Sequence, residues 1–353
     1  MASSNKTFFA YPNNPITIGQ TIEEAIKNLK DVASWKALDV YGHFIAEEVV
    51  SGIDNCSVFV ADISVLNFNV TYEIGYAIGK NKRILLTKNS SIQEIEPCIR
   101  EVGIFDTIGY SSYENSSQLS ELLRHSSDKD PLKTSHPINT TAPVYLIDTK
   151  HKTDWAIRIV SRVKKAGYIF RSFDPSETPR LSAYDAISQV ACSYGVVVPL
   201  LGSIFDGYTL HNMRASFIAG LSEGMGKATC IIQDADDPVP LDYRDFVNVT
   251  YHPNDVDITI ADFASRVAKA FQKGDTFKKD KSTSFLQTLD LGASSAENEM
   301  RTLNTYYLRT DQFLKSLRGE VHLCVGRKGS GSQLYFYKYV TEREVETKIE
   351  ILF

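Results

Sequence analysis

The chain has 353 residues, 43% of them hydrophobic, and a formal net charge of −5. That is enough chain for two or three domains with cores of their own. The charge is too mild to point to a binder of nucleic-acid backbones, and no apolar run is long enough to span a bilayer.

The opening MASSNKTFFAYP lacks the apolar region of a signal peptide. Five scattered cysteines with no C-x-x-C pair fit reduced thiols in a cytoplasm. The seven histidines show no metal-ligand spacing, so no metal or other cofactor is expected.

Thr7–Ala10 reads as a first strand, followed by a polar, proline-rich loop, Tyr11-Pro12-Asn13-Asn14-Pro15. Thr21–Lys30 is an amphipathic helix in which Thr21 and Glu24 form a capping box. Ala37–Val40 is placed as a second strand, and His43–Ile53 as a helix ending near Asp54. Val58–Leu86 is the most informative stretch. Val58–Ala61 is a short apolar strand closed by Asp62, and Ile63–Asn69 is a loop whose Asn69 caps a helix starting at Val70. Ile84–Leu86 begins the next strand. Two apolar runs joined through a helix make a βαβ unit, so the sheet is parallel.

Val70, Ile74, Ala77 and Ile78 share one helical face suited to packing on that sheet. Glu73 flanks this face near the helix N-terminus, where the dipole favours a carboxylate. Asp62 sits at the carboxyl end of the preceding strand, where open α/β sheets bind ligands. The two acids are therefore expected to converge on one crevice. Spacing alone is served as well or better by a Glu73 that only complements the dipole and an Asp62 that only starts a turn.

The run YEIGYAIGKNKRILL (Tyr72–Leu86) resembles the active-site helix of nucleoside 2-deoxyribosyltransferases. That family carries an E-[LI]-G-Y-A segment, a Gly/Lys-containing turn and an apolar strand, and its Glu is the nucleophile that takes the sugar from the base. The resemblance covers about the first third of the chain. It implies that Glu73 is the nucleophile, that Asp54 contacts the leaving base and handles its proton, and that Asp62 helps hold the sugar. It implies further that the loop after the first strand lines the pocket, which makes Tyr11 and Asn13 candidates, with Asn69 and Tyr76 beside Glu73. Pockets in the family are completed across subunits, so a homo-oligomer is expected. The same logic, a Glu on a helix beside a parallel sheet, is found in NAD-cleaving TIR-like domains.

After Ile92–Val102, helical in part, and a short strand at Ile104–Ile108, residues 110–142 turn polar and proline-containing around one helix, Ser117–His125. This reads as a domain boundary. The pattern then restarts. Strands are expected at Val144–Asp148, Tyr168–Phe170, Gly195–Leu201 and Ala228–Gln233, with helices at Lys152–Ala166, Ser182–Cys192, His211–Gly224 and Asn254–Lys273. Sliding SVFVADI by about 138 positions lays it on GVVVPLL, the mark of a diverged internal duplication. Without gaps, Asp54 falls on Cys192, Asp62 on Leu200 and Glu73 on His211, or on Ala215 after a one-turn shift. None is a carboxylate, so the second copy is expected to be catalytically silent. Asp206, His211 and Arg214 either line a retained pocket or are loop and surface residues.

Glu297–Leu317 reads as a further helix, and VHLCV leads into GRKGSG. A strand followed by that turn looks like the start of a phosphate-binding P-loop, with Gly326, Gly329 and Gly331 as the cradle. Ser332 stands where the phosphate-contacting Lys belongs, so the module reads as degenerate or cut short.

The expected architecture is α/β, with two tandem flavodoxin-like, doubly wound parallel-sheet domains. Residues 1–125 form the catalytic domain, 126–142 a linker, 143–273 the silent copy, 274–296 a second linker, and 297–353 the helix with the partial P-loop-like segment. The expected activity is an N-glycosidase or glycosyltransferase acting on a nucleoside, a nucleotide or NAD. Water as acceptor makes it a hydrolase and a second base makes it a transferase. The combination of modules resembles prokaryotic immune effectors of antiviral defence, in which an ATPase-type sensor releases a nucleotide-destroying activity. The competing expectation is a non-enzymatic sensor or scaffold whose two domains both bind a nucleotide signal.

Overall fold

Short apolar runs alternating with amphipathic helices build two parallel sheets in the computed structural model. It describes residues 7–279 except 39–40, 42–43, 94–98, 126–129 and 235–240, together with residue 315. The first sheet holds β1 (Thr7–Ala10), β2 (Val32–Ser34), β3 (Val58–Asp62), β4 (Arg83–Asn89) and β5 (Tyr110–Tyr113), in the order β2-β1-β3-β4-β5. The second holds β6 (Val144–Ile147), β7 (Phe170–Phe173), β8 (Gly195–Leu200), β9 (Ala228–Asp234) and β10 (Val247–Thr250), in the order β7-β6-β8-β9-β10. Each order is that of flavodoxin, so the duplication extends to topology.

Side-chain alternation decides what each face meets. On the first sheet, Phe9, Val58 and Val60 point to α1 (Ile16–Ile26) and α5 (Ser116–Arg124). Phe8, Ala10, Phe59 and Ala61 point to α2 (Ile45–Asn55), α3 (Phe68–Gly79) and α4 (Ile99–Val102). On the second sheet, Val144, Leu146 and Val197 pack against α6 (Asp154–Lys165) and α9 (Pro253–Lys279). Tyr145, Ile147, Val196 and Val198 face α7 (Ala183–Ala191) and α8 (Tyr208–Gly224). The inward helices of both copies share one hydrophobic cluster. The layers run helix, sheet, helix, sheet, helix within one compact unit that ends at Thr276.

The centre of that cluster is the contact of α3 with α8. Gly75 and Gly79 on α3 face Gly220 and Gly224 on α8. A Cβ on Gly79 would lie 2.6 Å from the Leu221 carbonyl oxygen, and one on Gly224 would lie 3.0 Å from the Gly79 α-carbon. Tyr72 sits opposite Gly220 and Tyr76 opposite Gly224, so the two helices run in the same direction. Residues Val70–Ile78 are all buried, one face on the sheet and the other on α8.

Several expected boundaries move. The first helix starts at Ile16; the Thr21 hydroxyl bonds the Thr17 carbonyl within it at 2.9 Å, so Thr21 and Glu24 form no capping box. The second strand precedes Trp35 rather than following it. Ile104–Ile108 is not a strand: Ile104 and Phe105 are apolar because they are fully buried in the central cluster, where Phe105 meets Phe217 edge-on. The expected helix at Glu297–Leu317, apart from residue 315, and the P-loop-like Gly326, Gly329 and Gly331 lie outside the described residues.

Candidate functional site

β1 and β3 are neighbours in the first sheet, but the chain leaves β1 for α1 on one face and β3 for α3 on the other. This is the topological switch point, where doubly wound sheets open a crevice at the carboxyl ends of their strands. The α3 side of that crevice is built by a short turn after Asp62. Asn67, not Asn69, caps the helix: its Oδ1 accepts the Val70 N–H at 2.8 Å, and α3 begins at Phe68. An Asn-x-Asn sequence offers two caps. The one that wins leaves Asn69 inside the first turn. The Asn69 Oδ1 is buried and, among the described residues, has no hydrogen-bond partner.

Glu73 follows one turn later on the same flank of α3, since residues four apart stack along a helix. It is only 6% exposed. Burial, the largest cause, pushes the nearby Tyr72 phenol above its ordinary range; Glu223 adds to this, and Glu73 adds least. Tyr76 continues the flank. Its hydroxyl donates to the Asp54 carboxylate at 3.2 Å, and its ring stacks along Tyr72. Burial, more than the Asp54 charge, raises the Tyr76 phenol.

Asp54 lies in the last turn of α2, where its carboxylate also pairs with the Lys80 ammonium at 3.2 Å. The Lys82 ammonium binds the Asp54 backbone carbonyl at 2.6 Å. The structure thus brings Asp54 and Tyr76 together, at the end of α3 that points away from the crevice.

Asp62 is not brought to Glu73. It shares the parity of Val58 and Val60, so its side chain leaves the sheet toward α1 and α5, opposite to α3. There it is fully buried, accepting the Tyr113 hydroxyl at 2.7 Å and the Ser64 N–H at 3.0 Å. Burial raises its pKa, and these donors pull it part of the way back. The expected convergence of Asp62 and Glu73 on one crevice therefore fails on strand alternation.

Tyr11 is also turned inward. Its hydroxyl donates to Glu23 on α1, which accepts the Ser34 hydroxyl as well, at 2.6 Å. Asn13 stays exposed in the loop at the carboxyl edge. Trp35 and Lys36 follow β2 at that same edge; Trp35, which beside the expected strand could equally be core, is partly buried and packs against both clusters, whereas Lys36 carries no expectation from the sequence.

The second copy differs at each matching position. Matching Gly75 and Gly79 to Gly220 and Gly224 sets Glu73 against Ile218. The ladder registers set Asp62 against Pro199 and Asp54 against Ala191. His211 is buried, and its Nε2 donates to the Pro199 carbonyl at 2.8 Å. The Arg214 guanidinium donates to the Glu101, Val102 and Pro179 carbonyls, and so stitches the two copies together. Burial brings its pKa down to about 10. Over the matching crevice the loops meet: the His151 ring bonds the Asp206 carbonyl at 2.9 Å and packs on Phe205. A groove of about 740 Å³ opens on the outer face of the second sheet between α6 and α9, away from α3. Its Arg158 and Arg162 are both tied to Asp257.

Among the described residues no group of three or more His, Cys, Asp or Glu is placed to hold a metal ion, and no helix is long and apolar enough to cross a membrane. Compared with protein-family models and with curated proteins, the chain matches none of either.

Proposed function

We propose that the first copy cleaves an N-glycosidic bond with Glu73 as nucleophile, on a nucleoside, a nucleotide or NAD. The observation that supports this most is the pairing on one flank of α3 at the switch point. A buried glutamate stands one turn after Asn69, whose buried Oδ1 lacks a donor among the described residues. A desolvated acceptor without a partner is costly in a finished core, and a sugar hydroxyl supplies the missing donor.

In the first step a Glu73 oxygen bonds to the anomeric carbon as the bond to the base nitrogen breaks. The base leaves with the electron pair: the base of a nucleoside or nucleotide takes up a proton, and nicotinamide, cationic in NAD, leaves neutral without one. Water then attacks the ester, or a second base does, and Glu73 is released as a carboxylate. The second copy has no carboxylate at any matching position, so one chain carries one such site. Release of free base from a panel of nucleosides, nucleotides and NAD tests the reading. Wild type releases base and Glu73→Gln does not. Release undiminished in Glu73→Gln refutes the assignment. The non-enzymatic alternative is favoured by the internal engagement of Asp54 and Asp62; it requires tight ligand binding with no base released by either protein.

A further inference from the structure

A strand at the end of a sheet can take on a further strand, and folded proteins blunt such edges with charges, prolines, very short strands or a cover. Three of the four edge strands of the two sheets are blunted in this way. β2 is three residues long, with Lys30 and Asp31 before it and Lys36 after it. β7 carries Arg171, whose guanidinium donates to the Ala142 and Gln189 carbonyls at 3.2 and 3.0 Å. β5 turns Ser112 to solvent, and the Lys88 ammonium lies 5.8 Å from the centre of its Tyr110 ring. β10 holds the place in the second sheet that β5 holds in the first, yet it has neither charge nor proline. Its two polar side chains are turned back on the sheet. Asn248 Nδ2 donates to the Ile231 carbonyl at 2.9 Å, and the Thr250 hydroxyl donates to the Gln233 carbonyl at 2.8 Å. Apolar groups are left outside: Phe246, just before the strand, is 50% exposed, Val249 is 37%, and Tyr251, just after it, is 68%. Among the described residues β10 pairs with β9 alone, so its far side offers main-chain N–H and C=O groups to another strand.

We propose that the occupant is a second copy of this chain, and that β10 pairs antiparallel with β10 of that copy about a two-fold axis, joining two five-stranded sheets into one. Such an axis brings the start of one strand beside the end of the other. Arg244 and Asp245 stand exposed at the start. At the end the Asp255 carboxylate is held in place by the Tyr251 and His252 N–H groups at 3.0 and 2.9 Å. The His252 Nδ1 accepts the Asn254 N–H at 3.2 Å, which leaves Nε2–H as an outward donor. Arg244 of one copy then meets Asp255 of the other, and Asp245 meets His252. Parallel pairing would set each charge beside its own duplicate, so the charges select the antiparallel sense. The contact lies on the copy without carboxylates and is independent of the chemistry assigned to Glu73.

Light scattering of the full chain tests this. Wild type gives twice the chain mass of 39.5 kDa. Val249→Lys places a charge on the edge and gives the mass of a single chain. Ser112→Lys, the same change on the matching strand β5, leaves the dimer intact. Arg244→Glu sets like charges together at both ends of the pair and weakens the dimer about tenfold. Hydrogen exchange on wild type supplies a reading that no substitution can spoil. On dilution the amides of β10 lose protection while those of β5 keep theirs. A wild-type mass of one chain at every concentration leaves the edge free or to another protein, and overturns the proposal. So does a mass above two chains, which no closed two-fold pair gives. A dimer undiminished in Val249→Lys, or β10 amides indifferent to dilution, places the contact elsewhere and overturns it as well.

Discussion

Gly75 on α3 meets the Phe217 carbonyl of α8 with no room between them for a methyl group. Gly220 stands in the same relation to the Tyr72 carbonyl. Backbones this close pack two helices along their whole contact, but any side chain at these positions must push them apart. Gly75→Ala and Gly220→Ala are each expected to lower stability by about 3 kcal/mol in chemical denaturation. Gly109→Ala, with nothing within 4 Å of the added carbon, stays within about 0.5 kcal/mol of wild type. Because both sheets share one core, the loss appears in a single transition. A Gly75→Ala protein as stable as Gly109→Ala would contradict the packed seam.

His211 gives stability a pH dependence of known sign. Burial, the largest cause, and the nearby Arg214 charge push it down to about 4 from 6.5, against the Pro199 carbonyl and the Asp148 charge. The folded protein thus holds a neutral imidazole, while the unfolded chain takes up a proton below 6.5. Stability from this group is complete above pH 6.5 and is lost as pH falls toward 4, by about 3 kcal/mol in all. His211→Gln lacks this group's dependence. Measured by denaturation, the stability advantage of wild type over His211→Gln shrinks between pH 7.5 and pH 4.5. An advantage constant over that range means the imidazole is not buried as a neutral group.

What the sequence disclosed, and what it hid, follows from how local each signal is. The βαβ reading of Val58–Leu86 and the duplication rest on apolar runs and their repetition, and both sheets follow them in strand order. Asp62 and Glu73 were misjudged through parity: Asp62 alternates with Val58 and Val60, which belong to the other face. That signal was present in the sequence. The buried seam was not accessible from one helix alone. Gly75 and Gly79 are ordinary until Gly220 and Gly224 are known to face them. The second strand is misplaced because β2 is only three residues long and half-buried, too weak a signal to outweigh the run Ala37–Val40. Arg214 resembles a surface cation until the Glu101, Val102 and Pro179 carbonyls are found around it.

Asp54 separates a chemical role from a structural one. Its ion pair with Lys80 spans 3.2 Å between side chains 39% and 35% exposed. A pair so open to solvent contributes about 0–1 kcal/mol. Asp54→Asn keeps an acceptor for the Tyr76 hydroxyl and is therefore expected to fold with wild-type-like stability. Because Asp54 stands at the end of α3 that points away from the crevice, base release in Asp54→Asn is expected to stay near wild type; general acid–base catalysis by this carboxylate would instead make it fall about a hundredfold or more. Lys80→Met breaks the same ion pair and leaves the carboxylate in place, so its base release stays near wild type. Equal losses in the two variants mean that Asp54 serves only to join α2 to α3. A loss confined to Asp54→Asn, with thermal midpoints of all three proteins within a few degrees, places its carboxylate on the substrate.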